Sequence, residues 1–186
     1  MNFDRTKSKY CAFFCEENIW HLAKEFAAVG SVEKWFVLFF LCADPTSSFF
    51  VIKNQRAFGS SLLGFWDYHV VLFDSNDRLI YDLDSSLSCP LSTRLYFAQT
   101  FPKQELLAPG VRAMVRNIPL GEYLSRFSSD RSHMLDERGE ALETFPKWPP
   151  IIADDPIWLN QYRSVVGIDK SQSNLAAVEK FAQDVV

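Results

Sequence analysis

The sequence predicts an α+β fold whose sheet is mainly antiparallel, packed with an early helix that carries a cysteine at its start. Two patterns lead to this. Short apolar runs rich in aromatic and β-branched residues read as strands, and they alternate with segments whose apolar residues recur every three or four positions. Near the middle, two such runs flank the turn-forming cluster Asp74-Ser75-Asn76-Asp77, which reads as a hairpin. Composition supplies the material for a core. Of 186 residues, 48% are hydrophobic and 17 are Phe, enough to bury a substantial interior, so residues 1–186 are expected to form a single domain.

In chain order, Ile19, Leu22, Ala23 and Phe26 predict a helix running from Cys15 to about Val29, with Glu16 and Glu17 in its first turn, where acids suit the helix dipole. Trp35–Cys42 predicts a buried strand, Ala43 to Ser48 a turn, and Phe49–Ile52 a strand pairing back. The hairpin follows, with strands Trp66–Phe73 and Arg78–Asp84. Leu91–Phe101 predicts a surface helix, Val111–Ile118 a strand and Leu120–Phe127 a helix. Leu175–Val185 predicts a closing amphipathic helix. Pro146, Pro149 and Pro150 mark an extended crossing, because apolar signal resumes on both sides. The chain contains no repeats.

The hairpin carries the first chemical signal. Closing it symmetrically places Phe73 opposite Arg78, Val71 opposite Ile80, and His69 opposite Asp82. Opposed side chains have Cβ atoms about 5 Å apart, close enough for a carboxylate to hold an imidazole. Both strands are apolar on both faces, so the pair is expected to be buried, and a buried His–Asp pair calls for a reason such as catalysis. The partner nucleophile is Cys15. At a helix N-terminus, unpaired N–H groups and the dipole favour a thiolate, so its pKa is expected to fall below the usual value of about 8.5. An early Cys opening a helix, then His, then an acid on strands, is the order of papain-like enzymes. Each residue also has an ordinary role open to it. A lone Cys is more often a small buried hydrophobe, and a cross-strand His–Asp pair is often a plain polar contact. The three together favour catalysis.

Four strings resemble one family. Cys15-Glu16-Glu17-Asn18-Ile19-Trp20, Trp66-Asp67-Tyr68-His69-Val70-Val71, Tyr81-Asp82-Leu83-Asp84 and Phe127-Ser128-Ser129-Asp130-Arg131-Ser132-His133-Met134 are similar to segments of the protein N-terminal glutamine amidohydrolases. Arg116-Asn117-Ile118-Pro119 precedes the last in the same fashion. The resemblance runs from about Tyr10 to Pro150, and departs in Val29–Gly64, Leu87–Val115 and the tail after Ile152. It implies a papain-like α+β fold and a Cys-His-Asp triad that converts N-terminal Gln of proteins to Glu. The catalytic roles then fall on Cys15, His69 and Asp82. Substrate contacts are expected from Glu16, Trp66, Asp67, Tyr68, Asp84, Ser129, Asp130 and Arg131, which stand in these strings. No metal and no organic cofactor is implied.

Recognition of a chain terminus requires a partner for its α-ammonium. Glu16, Asp67, Asp84 and Asp130 are the acids near the expected cleft, and the symmetric register sets Asp67 opposite Asp84, a like-charge pair suited to a cation. These acids could equally cap turns or pair with Arg131. His133 is the only rival to His69 as base. His21, on the helix beyond Cys15, reads as a surface residue. Cys11, Cys15 and His21 match no common zinc spacing.

The formal net charge of −4 argues against a nucleic-acid-binding surface, and peptides or proteins with a free N-terminal Gln are the expected partners. The longest apolar run, Trp35–Ala43, is far short of the roughly 20 residues a bilayer requires. The polar start reads as no signal peptide, and the four cysteines are expected to stay reduced. A cytoplasmic monomer is expected, with a nuclear pool open. Two other classes remain at this point: a cysteine protease or internal-glutamine deamidase with the same triad, and a non-catalytic interaction domain on the same fold.

Overall fold

The computed structural model describes residues 3–52, 63–101, 103–165 and 175–185. Part of the divergent segment Val29–Gly64, namely 53–62, lies outside them. So do residues 166–174 of the tail. Helix α1 (Cys15–Ala27) is followed by the strands β1 (Trp35–Cys42), β2 (Phe49–Ile52), β3 (Leu63–Trp66), β4 (Tyr68–Asp74) and β5 (Leu79–Tyr81). Next come β6 (Leu91–Ser92), α2 (Thr93–Thr100), β7 (Ala113–Pro119), α3 (Leu120–Arg126) and β8 (Phe127–Ser128). The chain continues with β9 (Ile157–Trp158), α4 (Leu159–Arg163), β10 (Leu175–Ala177) and α5 (Val178–Val185).

Six strands form one antiparallel sheet in the order β10-β7-β1-β4-β5-β6. The two central strands are apolar on both faces because both faces are covered. On one side Val37, Phe39, Val70 and Leu72 pack beneath α1, α3 and α4 through Ile19, Leu22, Tyr123 and Tyr162. On the other, Leu38, Phe40, Val71 and Phe73 meet Tyr96 and Phe97 of α2 and Phe181 of α5. Every residue of β4 is buried. The sheet is thus a middle layer between helices.

Several expected elements shift. Phe49–Ile52 does not pair back onto β1; its partner is β3, in a separate two-stranded ladder. Trp66 belongs to β3, so the first hairpin strand starts at Tyr68. The expected closing helix starts only at Val178, because Leu175–Ala177 first pairs with the free edge of β7. The Leu91–Phe101 helix starts at Thr93 and is no mere surface element, since Tyr96 and Phe97 are buried.

The hairpin register is the main correction. Phe73 pairs with Ile80 rather than Arg78, and Leu72 with Tyr81, a slip of two residues from symmetric closure. The cause lies in Asp74. It stays in the ladder opposite Leu79, and its carboxylate takes the amides of Asn76 (3.0 Å) and Asp77 (3.1 Å) and the Lys34 ammonium (2.7 Å). The turn therefore spans 75–78 and closes with Arg78 at φ 52, a left-handed residue. Because side chains alternate with period two, a two-residue slip keeps every residue on its expected face. Asp82 no longer sits directly opposite His69, but it remains on the same side.

Candidate active site

Cys15 is the first residue of α1. The loop before it is pinned by Asn18, whose side chain accepts from the Cys11 amide and donates to the Cys11 carbonyl, both at 2.8 Å. Phe13, two residues ahead of the thiol, lies at φ 69. That left-handed turn, closed by a buried Asn, fixes how the chain enters the helix. The sulfur is buried, accepts the Val70 amide of β4, and donates to Glu16 Oε2 at 3.6 Å. The thiol thus lies against the strand residue that follows His69, with its hydrogen bond given to Glu16 and not to the imidazole.

His69 and Asp82 are brought together. The ring Nε2 stands 3.1 Å from Asp82 Oδ2, with both side chains almost wholly buried. Asp82 lies just past the end of β5 and reaches His69 diagonally. The same Oδ2 accepts the Tyr96 hydroxyl at 2.8 Å, while Oδ1 accepts the amides of Asp84 and Ser85. Burial raises the Asp82 carboxyl, but His69 and these donors outweigh it and hold it below the usual carboxylate value. Burial likewise lowers His69, and the carboxylates of Asp82, Asp84 and Glu16 reverse this to leave it raised. Trp66 stacks on the imidazole with ring centroids 3.8 Å apart. With Nε2 engaged by Asp82, Nδ1 is the nitrogen left to take and return a proton.

The expected lowering of the Cys15 thiol is overturned. Burial, followed by the charges of Glu16, Asp84 and Asp67, pushes it well above the ordinary value, with only the Val70 amide working the other way. The helix terminus is present, but its modest field is outweighed by desolvation and adjacent carboxylates. Glu16 itself is wholly buried. Its Oε2 accepts the Tyr68 hydroxyl at 3.0 Å, while Oε1 has no hydrogen-bond donor, the His133 Nε2 standing 3.5 Å away. Burial pushes its pKa up to about 7.

The other expected contacts are placed as follows. Tyr68 is buried beneath the guanidinium of Arg163, which lies 4.3 Å from its ring and pairs with the more exposed Asp67. Asp84 accepts the Tyr10 hydroxyl at 2.7 Å and stands beside His69, so it is not the partner of Asp67 that symmetric closure implied. Ser129 is buried, with its backbone bridged to Ile151. Asp130 is exposed and accepts the Ser132 amide. Arg131 is buried at φ 64 and grips Glu17 with two 2.8 Å bonds, while Trp148 Nε1 donates to Glu17 at 2.6 Å. This cluster anchors the first turn of α1 to the loop after β8.

Two histidines are distinguished by their surroundings. Burial lowers His133 to about 4, so it meets Glu16 as a neutral ring. His21 is not a surface residue. It packs edge-on between Trp20 and Trp148, is half-buried, and is lowered to about 4 by burial. Tyr96, Trp148, Arg163 and Tyr123, whose hydroxyl donates to the Glu16 carbonyl at 2.9 Å, are the site's supports that sequence reasoning missed. Each comes from a different segment, and no spacing in the sequence announces them.

All four cysteines are free. Among the described residues, His69, Asp82 and Asp84 form the one set of potential metal ligands, with atoms within 4.8 Å of one another. The His69–Asp82 hydrogen bond already occupies part of that set. No helix among the described residues is long and apolar enough to cross a membrane.

A buried imidazole held by a carboxylate, on the strand whose next residue meets a helix-terminal thiol, is an arrangement suited to acyl transfer. Comparison with known proteins gives the class. Residues 10–184 match the model of a family described as N-terminal glutamine amidase. The chain is 33% identical over 150 residues to the protein N-terminal glutamine amidohydrolase of Drosophila mojavensis, covering 78% of this chain and 72% of that one. It is 32% identical over the same length, with the same coverage, to the protein of that name from Drosophila ananassae. The chain belongs to the N-terminal glutamine amidase family, and is an enzyme of the amidohydrolase class.

Proposed function

We propose that this chain, as one catalytic domain with a papain-like arrangement, converts the side-chain carboxamide of an N-terminal Gln to a carboxylate, with release of ammonia. The observation that carries this reading is the buried His69–Asp82 pair at 3.1 Å, next along β4 to the residue whose amide meets the Cys15 sulfur, in a chain of this family. Cys15 Sγ attacks the carboxamide carbon, and its proton passes to His69 Nδ1. The oxyanion is held by the free Cys15 amide at the helix start. His69 then returns the proton to the departing nitrogen, the C–N bond breaks, and a thioester remains. Water, deprotonated by His69, attacks the thioester carbon, and collapse of the adduct frees Glu and the thiol. Asp82 fixes the ring tautomer and stabilises its charged form.

Selection of a chain terminus rests on the acids about the thiol. Glu16 and Asp84 bear most strongly on the thiol, followed by Asp67, and together they offer a negative field to an α-ammonium. The test is turnover of short peptides beginning Gln, Asn or acetyl-Gln, read as ammonia and as the mass gain of amide-to-acid conversion. The free Gln peptide is expected to react. Losing a charged hydrogen bond worth about 1.5–3 kcal/mol should slow the acetylated peptide roughly 10- to 150-fold. Equal rates on both would rule out recognition of the terminus and favour an internal-glutamine deamidase.

A further inference from the structure

Glu16 stands next to the nucleophile in sequence and in space, and its surroundings are unusual. It is wholly buried, it accepts the thiol proton of Cys15 at 3.6 Å, and one of its oxygens has no donor. The nearby cations are engaged elsewhere. Arg131 is taken by Glu17 and Arg163 by Asp67, and among the described residues no lysine or arginine pairs with Glu16. A buried acid left without a cation is expensive unless something completes it.

We infer that Glu16 gates the nucleophile: its carboxylate holds the Cys15 thiol protonated in the empty site, and a cationic amino terminus that pairs with Glu16 frees the thiol to pass its proton to His69. This rests on the proposed action on amino-terminal residues. The groups facing Glu16 fit the role. On α1 these are Cys15 and Glu17, and on β4 Tyr68 and the neighbouring His69. From α3 Tyr123 reaches the Glu16 backbone, and from the loop after β8 His133 stands neutral beside it. Asp84 and Asp67 add negative charge at the thiol, the latter offset by Arg163. Neutralising the one carboxylate in hydrogen-bond contact with the sulfur removes the nearest like charge opposing a thiolate. Such a contact commonly shifts a titration by one to three units.

The gate explains why a thiol set among acids can still serve as a nucleophile. It is activated when the correct charge arrives and stays inert toward other electrophiles otherwise. Glu16 thereby binds the incoming amino terminus and links that binding to the state of the Cys15 thiol.

The experiment titrates Cys15 by thiolate absorbance, as the difference from Cys15→Ser, in wild type, Glu16→Gln and Glu16→Ala. Both Glu16 variants should hold roughly fivefold more thiolate at pH 8 than wild type, because a Glu16 carboxyl raised to about 7 is mostly ionised there. A saturating peptide beginning with norvaline, which offers an α-ammonium and no carboxamide, should raise the wild-type thiolate by a similar factor, and its acetylated twin should not. Neither peptide should move the Glu16 variants. The preference of Glu16→Gln for Gln over acetyl-Gln peptides should shrink toward unity. An unchanged thiolate fraction in the folded variants overturns the gate. So does a rise in the variants with no response of wild type to the norvaline peptide, which would assign Glu16 a static effect. Failure of wild type to release ammonia from any Gln peptide would instead sink the functional reading, and the variant titrations would still judge the contact between Glu16 and the thiol.

Discussion

Asp82 reaches His69 from beyond the end of its own strand, and on the oxygen that faces the ring it also carries the Tyr96 hydroxyl. Asp82 is therefore held by three elements at once: β4 through His69, α2 through Tyr96, and its own turn through the amides of Asp84 and Ser85.

Replacing Asp82 by Asn should keep the fold and lower kcat by two or more orders of magnitude, as for orienting acids elsewhere. Circular dichroism together with an ammonia assay reports both. Near-normal turnover would show that His69 needs no charged partner.

Tyr96→Phe should have a milder effect that depends on pH. Asp82 titrates below the usual carboxylate value in the fold, so its contribution to stability is present above about pH 4 and is lost as pH falls through the folded value. Removing the Tyr96 donor raises the folded value, which shrinks that contribution. The midpoint of acid unfolding should move to higher pH than in wild type.

Cys15→Ser and Cys15→Ala should abolish ammonia release, and Cys11→Ser should leave most of it. Cys11 donates to the Thr144 carbonyl and opens no helix. Ammonia release by Cys15→Ala would exclude the thioester route.

Glu16→Gln should stabilise the fold above neutral pH. The Glu16 carboxyl is raised to about 7 by burial, from an ordinary value of 4.5. Its contribution is therefore fully present below the unfolded value and is lost as pH rises through the folded one. Each unit corresponds to about 1.4 kcal/mol, so the variant should gain roughly 2–3 kcal/mol over wild type between pH 5 and 8. Denaturant midpoints at the two pH values measure it. His21 and His133, both lowered to about 4, destabilise wild type and variant alike between 6.5 and 4, and cancel in the difference.

Arg131→Met should cost about 3–5 kcal/mol, because it strands the buried Glu17 carboxylate with only the Trp148 donor. Adding Glu17→Gln should recover part of the loss. A double variant no better than the single would show that Arg131 acts through its carbonyl contacts to Pro146 and Trp148 instead.

The strands with continuous apolar runs were legible in the sequence, and β1 falls on the expected Trp35–Cys42 because burial on both faces leaves no other reading. The start of α1 at Cys15 was equally legible from its acids and apolar spacing. The hairpin register was not. It turns on whether Asp74 stays in the ladder, and Lys34, from a distant segment, helps hold it there. The pairing of His69 with Asp82 survived the error because a two-residue slip preserves side-chain parity, where a one-residue slip would have broken it. The thiol environment was misjudged for a similar reason. Local sequence showed the helix terminus, and only the fold shows how many carboxylates gather there and how little water remains.

The burial of β4 along its whole length has a consequence for how the enzyme can fail. His69 rides on a central strand paired with β1 along its whole length and with β5 over its last three residues, and sealed by two apolar layers. Mobile sites open by local fluctuations, but the amides of such a strand exchange with solvent only when the domain unfolds as a whole. Heat and denaturant should therefore leave the imidazole in place until cooperative collapse, so that loss of catalysis and loss of structure arrive together.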